Sequence, residues 1–172
     1  KDLAPVILVS TPAGILVVNP ELPVKNVKEL IAYGRANSGK LSYGSAGNGV
    51  WNHLFAELFK SMAKIEMTHV PYKGTGPAVT DVIGGQIQLS FSPFLTAMPH
   101  VKSLRLRALG VTGAKRSQVV PDLPTIAEAG LPGYSAASWF AVLAPADTPK
   151  SVITKLNREI NRIFAEPDVK AA

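Results

Sequence analysis

The sequence predicts an α/β fold: an open, mainly parallel sheet with helices packed on its faces. Three observations carry that expectation. Short apolar runs alternate with segments of helical periodicity along the chain. Runs such as 15–18 (Ile-Leu-Val-Val) are apolar without a break, which marks strands covered on both sides. Loops with glycine sit where a run ends and a helical segment begins, the connection a strand–helix–strand architecture needs.

Each element has its own signal. Residues 6–9 and 15–18 read as strands separated by Thr11-Pro12-Ala13-Gly14. Residues 19–23 (Asn-Pro-Glu-Leu-Pro) break regular structure and mark a candidate hinge. Asn26 followed by Glu29 has the form of a capping box, opening a helix that Ser38-Gly39 stops. Residues 41–43 end a strand. Then, past a loop containing Gly44, Gly47 and Gly49, apolar residues recur at Trp51, Leu54, Phe55, Leu58, Phe59 and Met62, one face of a helix. Residues 65–70 alternate like a strand. A second strand-to-helix loop follows at 71–76, and Pro77 suits the first helical position. That helix carries Val79, Val82 and Ile83 and closes at Gly84-Gly85. Residues 87–91 form the next strand, Ser92-Pro93-Phe94 leads into a short helix ending near His100, and 106–111 form another strand. A long loop spans 115–124, a short helix spans 125–129, and Leu131-Pro132-Gly133 is a second candidate crossing point. Residues 139–143 read as a strand. Thr148-Pro149 reads as an N-cap and N1 pair for a helix presenting Val152, Ile153, Leu156, Ile160, Ile163 and Phe164. Pro167-Asp168-Val169 opens one more helix. The chain begins without Met and reads as a piece cut from a longer protein at both ends.

Composition narrows the function classes. Of 172 residues 47% are hydrophobic and 17% charged, so the chain packs a core rather than staying disordered. No apolar run reaches membrane-spanning length. With no cysteine there is no disulfide, thiolate zinc site or cysteine nucleophile, which fits an oxidising compartment. The net charge is +6, but the basic residues are scattered and no aromatics interleave with them. A modest field favouring anionic ligands follows, and no nucleic-acid partner is expected.

The loop at 44–49 carries the chemistry. A flexible turn between a strand and a helix start presents backbone amides with no internal acceptor, next to the positive end of the helix dipole. That suits a carboxylate or phosphate. Ser45 and Asn48 add side-chain donors. Neither nucleotide-binding glycine pattern is met. The same residues also describe a plain turn with Asn48 or Gly49 as N-cap. Loops 44–49, 71–76 and 92–96 all leave strands and enter helices. In open α/β sheets ligands bind beyond the carboxyl ends of the strands, so the three should surround one cleft.

Together the motifs resemble a known family. Tyr-Gly-Ser-Ala-Gly-Asn-Gly with Asn-His-Leu, then His-Val-Pro-Tyr-Lys-Gly-Thr-Gly-Pro-Ala, Arg-Ala-Leu-Gly-Val-Thr, Leu-Pro-Thr-Ile-Ala-Glu-Ala-Gly and Ser-Trp-Phe-Ala-Val-Leu-Ala-Pro-Ala resemble the substrate receptors of tripartite tricarboxylate transporters, also called Bug proteins. The resemblance implies a type II periplasmic-binding-protein fold, in which two α/β lobes close on a ligand. It implies a periplasmic receptor that captures a small carboxylate and hands it to membrane permease subunits, with no cofactor. Residues 21–134 would form the complete second lobe. Residues 1–20 would belong to the first lobe and a crossing strand, and 135–172 would be the returning strand and helix. Carried over residue by residue, ligand contacts would come from Ser45, Ala46, Gly47, Asn48, Gly49, Tyr72, Lys73 and Gly74. Many members carry Asp where this chain has Ser92. Serine cannot pair with an amino group, so a di- or tricarboxylate or an aromatic acid is expected over an amino acid. Strands of an incomplete first lobe offer edges for self-association.

Several residues admit a plainer account. Lys73 can neutralise a carboxylate or be a solvated turn lysine. Tyr72 can wall a pocket or pack at the loop base. His53 reads as a helix-face residue, His69 as core or edge, and His100 as a helix end; their spacing is not that of metal ligands. Trp139 and Phe140 read as hinge or core packing, and Lys115 and Arg116 as surface. Two other function classes compete. Ser45, His53 and Asp81 invite a hydrolase triad, but glycine is missing two residues before the serine, so the nucleophile-elbow pattern is not met. A ligand-sensing effector domain of a regulator would share the two-lobe fold, and fold alone does not decide between them.

Overall fold

In a computed structural model, which describes residues 2–171, the elements in chain order are β1 (Leu3–Ser10), β2 (Ile15–Val18), α1 (Val27–Ala36), β3 (Leu41–Ser45), α2 (Trp51–Ala63), β4 (Met67–Pro71), α3 (Thr75–Ile83), β5 (Leu89–Ser92), α4 (Phe94–Lys102), β6 (Arg107–Val111), α5 (Ile126–Ala129), β7 (Phe140–Pro145), α6 (Lys150–Ala165) and α7 (Pro167–Ala171). They fall into two compact units. The larger is Ala13–Ala137; the smaller joins residues up to Pro12 with those from Ser138 onward.

The larger unit is a five-stranded sheet in the order β4-β3-β5-β2-β6. β3 runs parallel to β4 and to β5, whereas β2 runs antiparallel to both of its neighbours. Four strands therefore point one way and β2 alone points the other. An unbroken apolar run predicts burial but not direction, so the sequence could not reveal this inversion. The burial itself is complete: Ile15, Leu16, Val17 and Val18 are all fully enclosed. Alternate residues serve opposite faces. Leu16 and Val18 join the cluster built with Val27, Leu30, Phe55 and Phe59 of α1 and α2. Ile15 and Val17 join the one built with Val79, Val82 and Ala97 of α3 and α4. Each such side chain contributes about 1.5–3 kcal/mol of hydrophobic stabilisation.

Helix starts follow local chemistry in part. Asn26 caps α1, its side chain accepting from Glu29 N at 2.9 Å, as the spacing predicts. Thr125 caps α5 in a full capping box with Glu128. Other starts differ from expectation. α2 begins after Val50, so neither Asn48 nor Gly49 is its N-cap. α6 begins after Pro149, one position later than Thr148 would place it, and without a side-chain cap.

In the smaller unit β1 pairs antiparallel with β7, and α6 packs on β1, where Asn157 Nδ2 donates to Val6 O at 2.7 Å. Trp139 and Phe140, read from the sequence as hinge or core packing, are 63% and 58% exposed. The expected boundaries also shift. The sequence places residues 1–20 and 135–172 outside the complete lobe, whereas the units part at Pro12/Ala13 and Ala137/Ser138. The reason is β2, which lies between β5 and β6 inside the larger sheet and brings the chain from Ala13 onward with it. The breaker at 19–23 is a turn within the unit, held by the Asn19 side chain, which donates to Val82 O and accepts from Glu21 N.

Candidate functional site

Because β3, β4 and β5 are parallel, their carboxyl ends, Ser45, Pro71 and Ser92, lie along one edge of the sheet. The helices that follow, α2, α3 and α4, start at that same edge. None of the three has a side-chain cap: their N-cap residues are Val50, Gly74 and Pro93. The amides of Trp51, Asn52 and His53 in α2, and of Thr75 and Gly76 in α3, find no backbone acceptor among the described residues. Of the other helices of this unit, α1 is capped by Asn26 and α5, which starts beside Val111 at the carboxyl end of β6, is capped by Thr125. A missing cap costs about 1 kcal/mol, so its absence from these three starts leaves a group of donors facing outward at one place. The chain also enters and leaves the unit here, since Ile15 pairs with Ser92 and with Val111, and Ala13 bridges to Ala137.

The loop after β3 is built differently from the expectation. Its own amides are largely spent inside the protein. Ala46 N donates to Asn52 Oδ1 at 3.2 Å, Gly47 N to Ser45 Oγ at 3.1 Å and Gly49 N to His53 Nδ1 at 3.0 Å. The free amides belong to the first turn of α2, one step further along the chain. Ser45 is fully buried, its hydroxyl shared between Gly47 O at 2.9 Å and His69 Nε2 at 2.6 Å, so it braces the loop and offers no outward donor. Ser92 is likewise fully buried, 3.0 Å from Ser90 Oγ. Tyr72 packs at the loop base: its amide donates to Ser45 O, and its hydroxyl donates to Asp81 at 2.7 Å. Burial, then the Asp81 carboxylate, pushes its phenol up to about 12. Asn48 and Gly49 are exposed, Ala46, Gly47 and Gly74 are half-buried, and exposed Lys73 makes no ion pair among the described residues.

Two glycines are structural necessities here. A Cβ on Gly44 would come within 2.6 Å of Ile87 Cδ1 and 3.0 Å of Ala78 Cβ, so only glycine lets α3 approach β3 this closely. Gly47 has φ 137°, a backbone state that other residues rarely adopt.

Three residues make contacts that the sequence reading did not give them. His53 and His69, sixteen positions apart, stack with ring centroids 4.1 Å apart, and His69 also stacks on Tyr43 at 4.9 Å. Burial, then the neighbouring His53, holds His69 below the usual imidazole range. Tyr43 in turn donates to Glu57 at 2.6 Å. Burial pulls the Glu57 carboxyl upward, but the bonds from Tyr43 and Lys60 outweigh it and leave it low. The third is Asn52, fully buried at the second position of α2. Its Nδ2 has no partner among the described residues, the kind of donor a bound water or ligand oxygen satisfies. No local spacing announces these contacts, because β3–β4 pairing and the seating of α2 create them.

A triad is not assembled. Ser45 meets His69 rather than His53, its hydroxyl is closed off, and Asp81 is held by Tyr72. No cluster of metal-ligating side chains occurs among the described residues. A larger cavity, about 740 Å³, lies away from this edge, where β6 begins, and is lined by Met98, Val101, Leu106, Arg107, Val120 and Leu123. Its lining is mostly apolar, and Arg107 spends Nη1 on the carbonyls of Leu22 and Val24.

Comparison with known proteins agrees with the architecture. The chain is 41% identical, over its whole length, to a "UPF0065 protein in tcbD-tcbE intergenic region" of Pseudomonas sp. (strain P51), covering 52% of that protein. Among solved structures, "R. palustris Rpa4515 with adipate" is 40% identical, with TM-score 0.86 over 98% of this chain and 56% of that one. "MatC (Rpa3494) from Rhodopseudomonas palustris with bound malate" is 30% identical, with TM-score 0.84 over 98% and 57%. The fold is thus that of a periplasmic-binding-protein lobe, and the chain spans about half the length of the curated relatives it matches. The profile of the tripartite tricarboxylate transporter family receptor matches residues 1–171, and the chain belongs to that family, one of receptors and not of enzymes.

Proposed function

We propose that the protein of which this chain is part is a periplasmic receptor that captures a small dicarboxylate and delivers it to a tripartite tricarboxylate-type permease. The observation that carries the reading is the set of three helix starts at one sheet edge, all without side-chain caps, beside helices that have them. Amide donors and aligned helix dipoles favour a carboxylate, each start contributing about 0.3–1 kcal/mol beyond its hydrogen bonds. Two neighbours are described with adipate and with malate, both dicarboxylates.

The contacts divide by role. The first amides of α2 and those after Gly74 hold the anion beside the exposed Asn48, Ala46, Gly47 and Gly49 shape the turn that presents them, and Lys73 supplies a cation. Ser45, Tyr72 and Ser92 shape the loops from beneath. At this edge Asp81 is tied to Tyr72 and position 92 is a serine, so neither offers a free carboxylate to a ligand ammonium group. That favours simple dicarboxylates over amino acids. Titration calorimetry of the full-length protein against adipate, malate, citrate and glutamate tests the reading. Submillimolar binding of a dicarboxylate supports it; binding of glutamate alone overturns the ligand class. Self-association belongs to the same proposal: β1 and β7 expose Leu3, Leu8 and Leu143, and a monomer at high concentration by sedimentation would exclude it.

A further inference from the structure

We propose that His53 and His69 are positioning residues for the ligand loop. The stacked imidazoles, each bonded to a loop residue, hold residues 45–49 in the shape that presents the start of α2, and do so only while Nδ1 of His53 carries no proton. The inference rests on the loop being the binding site.

The argument is one of donors and acceptors. Gly49 N–H is a fixed donor pointing at His53 Nδ1 from 3.0 Å, so that nitrogen must be the acceptor and the ring's proton must sit on Nε2. Ser45 has a single hydroxyl proton. If Gly47 O takes it, His69 Nε2 donates to Ser45 Oγ, and the two rings then grip the two ends of the same loop. His53 also stands in the first turn of α2, where the helix dipole opposes a cation, and 4.1 Å from the His69 ring. The titratable and charged groups facing the pair are Tyr43 from β3 and Glu57 and Lys60 from α2, with Tyr43 bonded to Glu57 and Glu57 to Lys60. A second proton on His53 would turn the acceptor facing Gly49 into a donor. The bond would be lost and that end of the loop released.

Burial, then the neighbouring His53 ring, lowers the proton affinity of His69 itself. Carboxylate capture is weakened wherever His53 binds its second proton, because the acceptor that holds Gly49 N is lost. An added positive charge would by itself attract a carboxylate, so the two effects predict opposite pH trends.

The full-length protein, labelled with nitrogen-15, is followed by NMR between about pH 8 and pH 5, with adipate affinity measured by calorimetry over the same range. Expected are a bare Nδ1 on His53 at pH 8 and loss of Gly49 amide protection on acidification. The same loss is expected at pH 8 in His53→Phe, which keeps a ring but no acceptor. In that variant adipate affinity falls roughly tenfold, the scale of one hydrogen bond, and its pH dependence flattens. His53→Gln, which restores an acceptor, recovers part of the loss. A proton on Nδ1 at pH 8, unchanged Gly49 protection in His53→Phe, or tighter binding on acidification overturns the proposal. If adipate fails to bind the unaltered protein, that ligand assignment falls, while the tautomer and the Gly49 amide still decide the positioning.

Discussion

Val50→Asp tests the grip of α2 on a carboxylate most directly. Val50 is the N-cap of α2, half-buried, with φ −73° and ψ 161°, the extended conformation an N-cap aspartate adopts. An aspartate there can accept from the amides of Asn52 and His53, the donors assigned to the ligand. The helix should gain about 1 kcal/mol from the cap and up to about 1 kcal/mol more from the dipole. For a unit of this size that raises Tm by roughly 3–6 °C. Binding should move the other way. A carboxylate about 5 Å from the ligand's, at an effective dielectric near 20, repels it by about 3 kcal/mol, and the amides are already engaged. The expected loss is about a thousandfold in affinity, roughly a hundredfold from the repulsion and tenfold from the occupied amides. Val50→Ser, a neutral cap, separates the two effects: it should keep most of the stabilisation and lose roughly tenfold in binding. Differential scanning calorimetry and ligand titration on the same preparations check both. If Val50→Asp is stabilised yet binds a dicarboxylate as tightly as the parent, the amides of α2 are not the grip, and the reading of the uncapped edge fails.

Three further outcomes are expected. Gly44→Ala should destabilise the larger unit by about 1–3 kcal/mol in chemical denaturation, because the new methyl meets Ala78 Cβ at 3.0 Å and Ile87 Cδ1 at 2.6 Å. Tyr134→Phe should cost about 1–2 kcal/mol, since its buried hydroxyl donates to Phe55 O at 3.0 Å, and should leave carboxylate affinity unchanged. Stability should depend on His69: its folded-state pKa lies below the ordinary value, so the unfolded chain binds the proton more readily. Its contribution is therefore present above about pH 6.5 and lost as pH falls through the folded value, and thermal unfolding from pH 8 to pH 5 should show a slope that His69→Phe removes.

What the chain wrote locally was legible. Asn26 with Glu29 announces a helix start because a cap is a contact across three residues. The strand–helix alternation places the three loops at one edge, because parallel strands joined by helices leave their carboxyl ends together. Sequence alone therefore determined the α/β class, the helix periods and the edge where the three strand-to-helix loops gather. Tertiary structure decided the rest. The inversion of β2 between β5 and β6 left no trace in four apolar residues, since burial on both faces looks the same in either direction. Which amides stay free depended on Ser45, Asn52 and His53 turning back onto the loop. The His53–His69 stack exists only because strand pairing and helix seating bring together two rings that no local rule connects. Contacts within a turn are encoded by spacing; contacts between turns are set by how the sheet is ordered.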